Sequence, residues 1–463
     1  MLMQRYSLII RGLVFWLFIA STNISASEYS LGKSVNVRTY YADNSGLSTV
    51  NKVERYGETG ALSFDLSRMT EISRFTGALL LEVNNYNIKS YSTFDQRGNV
   101  DYTRNNERGS WGFGVTYDRD SISSYEDTEQ NFDLQNQIDT QVLSQSLRAN
   151  WNRQLDEKNV LALNASVTDV AYESAFRNDY RYGQSSLLWQ YYLSDRMRLQ
   201  ANVSYSLLDS ESTSGLSVSP LFNDAIIDGD LSENDALLLK ELCRAGFNLI
   251  DQISGGALTP WQCFEELERD NLQSTLKVQL GIYYVWNENL TLDLLYGDSS
   301  VKSELKQTYI NLPPLGENEG QRVTSNTSKD GGETYQGSLN YSGERLQSTL
   351  SASRNESVNS NSVLSLNTRV GLDVQIRLNR YHSLASGIDW YRQENSGFSG
   401  AEFYDRDVSS VMLSYSYRIS GSWSFRSVYR FKDLSQSRKS AHGRGNEFHL
   451  RVKWSPAKTS WSR

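Results

Sequence analysis

The chain has 463 residues, 54 of them acidic and 46 basic, for a net charge of −8, and its mean hydropathy is −0.53. An acidic balance argues against a nucleic-acid partner, which asks for a basic face. Beyond the first residues no apolar run is long enough for a transmembrane helix. Aromatic residues nevertheless make up 12% of the chain and prolines number only 5. That combination suits a wall of fully paired strands, because proline removes a donor from the ladder.

Residues 1–26 have the form of an export signal. Arg5 and Arg11 supply positive charge, residues 13–20 form an apolar run, and Ile24-Ser25-Ala26 is a small-residue cleavage site. The run is short for ~30 Å of hydrocarbon, so cleavage after Ala26 is expected, with 27–463 as the exported body.

From there the dominant signal is strict alternation, beginning with a strand over 29–41. Leu199, Ala201, Val203, Tyr205 and Leu207 alternate with Gln200, Asn202, Ser204 and Ser206. In 276–286, Leu276, Val278, Leu280, Ile282, Tyr284 and Trp286 share a face. Asn287-Glu288-Asn289 then turns the chain into Leu290, Leu292, Leu294 and Tyr296, which makes a hairpin. Trp423, Phe425, Tyr429 and Phe431 oppose Ser424, Arg426 and Arg430. The last strand, 445–455, sets Phe448, Leu450, Val452 and Trp454 against His449, Arg451 and Lys453. A period of two places one set in lipid and the other in a wet interior.

The connections alternate in length. Short turns fall near 69–72, 104–109, 155–158, 195–196, 287–289, 343–344, 379–381 and 420–422. Long polar loops cover about 42–57, 90–97, 121–139, 172–180, 210–271, 305–332, 358–362, 395–406 and 434–444. Short turns inside and long loops outside are the rhythm of an outer-membrane barrel. The expectation is therefore an all-β transmembrane antiparallel barrel of eighteen strands in a Gram-negative outer membrane, touching lipid and lipopolysaccharide. The 88–104 region carries the weakest strand pattern, and without it the number falls to sixteen.

One stretch, 221–270, departs from the alternation and has helical character. Ser232-Glu233-Asn234-Asp235 resembles a capping box before 236–242, and Thr259-Pro260-Trp261-Gln262 resembles a second helix start. Cys243 would end the first helix and Cys263 begin the second. In an exported chain a Cys243–Cys263 disulfide is the default pairing, stabilising the insert by roughly 3 kcal/mol, whether it caps the barrel outside or plugs its lumen.

Catalytic signals are weak. The histidines are His382, His442 and His449, there is no Gly-x-Ser-x-Gly elbow, and neither cysteine lies near a histidine in sequence. The acidic clusters at 125–129 and 265–268 lack calcium-loop spacing. No catalytic residue, metal ligand or cofactor is therefore assigned. Charge placement is more informative. Alternation points Arg369, Arg377, Arg418, Arg426, Arg430, Lys432, Arg451 and Lys453 into the lumen along the C-terminal wall, with few acids beside them. Such a stripe favours anionic solutes unless inward acids pair with it.

Several segments carry a resemblance: Val37-Arg38-Thr39-Tyr40-Tyr41-Ala42-Asp43-Asn44, residues 60–66, Glu82-Val83-Asn84-Asn85-Tyr86, Asp101-Tyr102-Thr103-Arg104-Asn105, Tyr415-Ser416-Tyr417-Arg418, residues 421–425 and Asn446-Glu447-Phe448. Together they resemble the outer-membrane β-barrel family associated with exopolysaccharide and exosortase (PEP-CTERM) gene clusters. The resemblance implies a porin-like role in exporting surface polysaccharide, together with periplasmic export components, and brings no catalytic residues. The cysteine-bearing insert and the tail after Trp454 depart from it. The expected function is a passive pore for polysaccharide or a related anionic solute. The alternative is a structural or adhesive barrel working through loops 121–139, 210–271 and 305–332.

Overall fold

The computed structural model describes residues 27–45, 47, 52–89, 92–121, 141–173, 179–218, 263–311, 321–358, 364–395, 406–436 and 441–462. Its strands, in chain order, are β1 Glu28–Ala42, β2 Arg55–Met69, β3 Ser73–Tyr86, β4 Thr93–Asn106, β5 Gly109–Ser121, β6 Gln141–Gln154 and β7 Asn159–Tyr172. There follow β8 Asp179–Ser194, β9 Met197–Val218, β10 Cys263–Asn287, β11 Leu290–Asn311, β12 Gln321–Ser342 and β13 Leu346–Val358. The last are β14 Leu364–Arg377, β15 His382–Asn395, β16 Arg406–Arg418, β17 Trp423–Gln436, β18 Ala441–Trp454 and the short β19 Thr459–Ser462. Every strand from β1 to β18 pairs antiparallel with its successor. The ring closes where β1 meets β18, from Val35 opposite Trp454 to Ala42 opposite Glu447. The count is eighteen and not sixteen, because 93–106 is a full strand paired on both sides.

Burial inverts the pattern of a water-soluble protein. In β1, Val37 is 52% exposed while its neighbour Asn36 is 8% exposed. In β10, Leu280 is 67% exposed beside Gln279 at 2%. Apolar side chains cover the outside and polar ones fill the inside, which suits a surround of hydrocarbon. Each strand of the ring pairs on both sides, so the ring has no edge strand, as a span without water requires. Around the end with the short turns the exterior carries Trp111, Trp189, Trp286, Trp423 and Tyr381, and near the other end Tyr41, Tyr56 and Phe94. Two aromatic belts of this kind mark the two membrane–water interfaces. The protein is an outer-membrane barrel, with lipid and lipopolysaccharide against this surface.

The short turns are set locally. Asp156 Oδ1 accepts the backbone N–H groups of Lys158 at 2.8 Å and Asn159 at 2.9 Å. Asn379 does the same for Tyr381 and His382, and Ser420 for Ser422 and Trp423. Each side chain substitutes for a missing ladder partner and reverses the chain in a few residues.

Two expectations need correction. Residues 263–270 are strand, not helix, and Cys263 opens β10 opposite Val218. Residues 219–262, with Cys243 and most of the expected insert, lie outside the described residues, as does the export signal 1–26. Residues 210–218, 263–271, 305–311 and 321–332 were assigned to loops but extend β9–β12 to 22, 25, 22 and 22 residues. At ~3.3 Å per residue, these strands outrun the 13–16-residue strands of β1–β8 and β13–β18 and continue beyond the membrane on the long-loop side. Their alternation is weak because upper rungs such as Ser210-Glu211-Ser212-Thr213 are polar on both faces, as a wall wetted on both sides allows. Beyond Trp454, Thr459–Ser462 pairs with Glu28–Leu31 after an interruption containing Pro456. Its Trp461 ring stacks on Tyr29 at 5.6 Å.

Within β8–β13 the wall curls tightly enough for inward side chains to reach one another. Gln279 of β10 donates to Thr334 of β12 at 3.2 Å, and Lys277 of β10 reaches Asn355 of β13 at 3.2 Å. Leu208 and Val301 pack with Tyr180 and Tyr182. Gly297 serves this closeness, since a Cβ there would stand 1.8 Å from the Val278 carbonyl oxygen.

Candidate functional site: a cationic seam in the lumen

The eight basic residues named from alternation sit at lumen-facing register positions, but their surroundings divide them. Arg369 is bound by Asp389 at 2.8 Å. Glu447, 7% exposed, takes Lys432 at 2.9 Å and Arg430 at 3.5 Å. Arg377 and Arg418 lie exposed at the short-turn end. The remaining three, Arg426, Arg451 and Lys453, gather at the closing seam.

That seam is a stack of cross-strand rows. Ser424, Lys453 and Asn36 form one row across β17, β18 and β1, and Arg426, Arg451 and Arg38 form the next. Above them come Val428, His449 and Tyr40, then Arg430, Glu447 and Ala42. Three guanidinium groups thus occupy directly adjacent positions, an arrangement of like charge that lowers strand-pair stability. Neutral acceptors hold two of them. Arg426 Nε donates to Ser414 Oγ at 2.9 Å and Arg451 Nε to Asn36 Oδ1 at 2.7 Å. Among the described residues only Arg38 in this row has an acid in bonding distance, Glu82 at 3.1 Å.

Arg38 belongs to the site and was not among the eight. Asn36 and Arg451 are 415 positions apart, and only ring closure makes β1 the neighbour of β18. The available signal was positional: if an even-stranded barrel closes, its first and last strands pair, and Arg38 then falls on the inward face with Asn36.

Beside the seam, β1–β6 carry a neutralised ladder. Arg97 donates to Asp118 and Asp120, both at 2.8 Å, Arg148 pairs with Asp101, and Asn84 donates to Asp95. A cavity of ≈ 320 Å³ lies between Asn36, Ser63, Glu82, Arg97, Arg451 and Lys453. It joins the cationic row to the ladder, and its donors and acceptors are those a hydrated anion or a hydroxylated ring would exchange for water.

The three histidines lie apart. His382 packs on the outer surface, with Nδ1 2.7 Å from the Tyr415 hydroxyl and its ring stacked on Tyr417 at 4.6 Å. His449 lies in the lumen, 3.9 Å from Glu447 and against the Tyr40 ring, while His442 stands opposite Ser435 near the long-loop end. Among the described residues no three metal-binding side chains converge.

No protein-family model matches the chain, and no curated protein sequence matches it. Solved structures do. The ferric yersiniabactin uptake receptor FyuA of Yersinia pestis aligns over 95% of this chain and 72% of its own at 10% identity, with a TM-score of 0.45. OpdK of Pseudomonas aeruginosa, solved with vanillate, aligns over 93% of this chain and 99% of its own at 9% identity and a TM-score of 0.42. OccAB3 of Acinetobacter baumannii gives 93%, 99%, 10% and 0.39 for the same measures. At these values none of them assigns this chain a ligand.

Proposed function

We propose that the barrel is a passive channel for anionic solutes, with Arg426, Arg451 and Arg38 as its selectivity element. One observation carries the reading: three adjacent lumenal guanidiniums, two of them held by neutral acceptors, where Arg97, Arg148 and Arg369 on neighbouring walls are paired with acids. A row of this kind raises the local anion concentration and offers weak contacts that a passing anion can leave again. Eighteen strands are enough to leave an aqueous lumen.

The passenger we propose is an anionic surface polysaccharide moving outward to the cell surface, delivered by periplasmic export components. The family resemblance in the sequence supports it. Polar walls and the cavity beside Arg451 would serve sugar hydroxyls, and the arginines the carboxylates of acidic sugars.

The tall strands β9–β12 favour a second reading, in which this external wall is an adhesive or structural surface and the lumen is incidental.

Reversal potentials of the refolded protein in planar bilayers under a salt gradient test the first reading. The parent is expected to prefer anions, and Arg426→Ser with Arg451→Ser to bring the preference close to unity. Arg430→Ser, whose charge Glu447 already offsets, should change it little. Unchanged selectivity in the double variant would sink the role of the row. Current block by polygalacturonate but not by neutral dextran would support the polysaccharide passenger. Equal indifference to both polymers would reduce the passenger to small anions, and a parent that conducts nothing would shift the weight to the external wall.

A further inference from the structure

The connection from β1 to β2 does not stay outside the ring. Leu47 is 2% exposed and packs with Tyr391, Val408 and Leu434. Those three side chains belong to β15, β16 and β17 and sit on the lumenal face, since Tyr391 stands opposite Arg369 and Leu434 is in register with Gly443 on the face of Lys432. An apolar side chain from an extracellular connection has therefore entered the lumen and found an apolar socket in its wall.

The backbone is pinned there as well. Asp43 accepts from the Asn446 backbone N–H at 2.7 Å and from its side-chain amide at 2.6 Å. Asn44 Nδ2 donates to the Arg444 carbonyl at 2.9 Å. Leu47 has φ of +49°, a left-handed conformation that costs a residue with a branched side chain of this size of order 1 kcal/mol or more. The facing strand makes room. A Cβ at Gly443 would stand 1.8 Å from the Leu47 carbonyl oxygen, and one at Gly445 2.7 Å from that of Asn44. Strain, socket and two small residues serve one placement. Gly445 is also the cross-strand partner of Lys432, so the segment lies beside the buried Lys432–Glu447 pair, on the extracellular side of the cationic row.

We propose that Asp43, Asn44, Ser45 and Leu47 form an inner strap that narrows the extracellular mouth and sets the size limit of the channel. Charge selection by the arginine row and size selection by the strap are then separate properties on separate residues. The strap rests on the lumen being the path of transport, but not on which solute uses it.

The test compares the parent with Gly443→Val, which drives a side chain into the strap backbone, and with Leu47→Ser, which removes the anchor without touching a strand. Both are first checked for heat-modifiable migration as folded barrels. Single-channel conductance and liposome swelling with neutral oligosaccharides of increasing length are then measured. In both variants conductance should rise about twofold and the swelling cut-off move to longer oligosaccharides, with anion preference retained. A silent parent with a conducting Leu47→Ser variant would also support the strap, as a plug. Unchanged conductance and cut-off in folded variants of a conducting parent would overturn the strap and leave the channel reading intact. Silence in parent and variants alike would overturn both.

Discussion

The closing seam, β17, β18 and β1, and the curled wall, β9–β12, use their inward positions in opposite ways. On the curled wall a cluster of uncharged polar groups is packed nearly dry: Gln273, Gln279, Thr275 and Thr334 are each no more than 3% exposed, and Gln279 takes a bond from Asn202 while giving one to Thr334. On the seam the inward positions hold arginine, lysine and glutamate, with Arg426 exposed and Arg451 half-buried. Uncharged amides and hydroxyls can be brought together and satisfied by one another, and so can close a space. A guanidinium keeps its water or needs an acid, and a row of three keeps the adjoining space open. One wall closes space, and the other keeps it wet.

The comparison can be broken most severely at Gly297. Replacing it with valine places carbon against the Val278 carbonyl of the neighbouring strand, and folding should fail, seen as loss of heat-modifiable migration. Gly60→Val is the control, because a Cβ there meets nothing within 4 Å. A folded Gly297→Val barrel would show that the curl is looser than described.

The next test sets the two walls against each other. Glu447→Gln leaves Lys432, 4% exposed in its side chain, without its carboxylate, and breaking such a buried pair costs about 3–5 kcal/mol. Gln279→Ala leaves a hydroxyl and an amide unmatched and should cost about 1–3 kcal/mol. Urea unfolding midpoints in detergent would measure both, with the seam variant lower. Near-equal midpoints would mean that Lys432 finds compensation elsewhere.

The smallest effect belongs to neither wall. Backbone donation from Lys158, with help from Asn159, holds the exposed Asp156 carboxyl below the ordinary carboxylate range. A lowered folded value means that the contribution is present above the unfolded value of about 4 and is lost as the pH falls below it. Asp156→Asn should therefore flatten the acid limb of stability slightly, while selectivity stays constant. Hydrogen exchange of the 155–159 turn at pH 3 and pH 6 would show it, and an identical pH response in parent and variant would remove Asp156 from the account.

Much of the ring was legible in advance because each strand reports on itself. Alternation in 276–286 or 448–454 needs no neighbour to be read, and turn residues such as Asn379 and Ser420 act within three positions. The eight short turns were readable for this reason, and the lumenal face of the basic residues followed. The upper rungs of β9–β12 were not legible, since strands wet on both faces carry no period. Residue 263 illustrates the same limit: the proline and cap-like residues before it suggest a helix start, yet pairing with Val218 makes it strand.

Sequence alone determined the fold class and, in the regularly alternating strands, which side chains face inward, because a two-residue period and turn chemistry are local; the choice of eighteen strands over sixteen waited on 93–106 being paired on both sides. Tertiary structure decided which inward charges are offset and which are not. Arg430 and Arg426 are four residues apart on one face, yet Glu447 lies beside the first and Arg451 beside the second, and ring closure adds Arg38 on the far side of Arg451. It also decided that Leu47 lies inside the ring, where Tyr391, Val408 and Leu434 form a socket that exists only once three strands stand side by side. Those outcomes depend on distances between residues hundreds of positions apart, and such distances exist only after the barrel has closed.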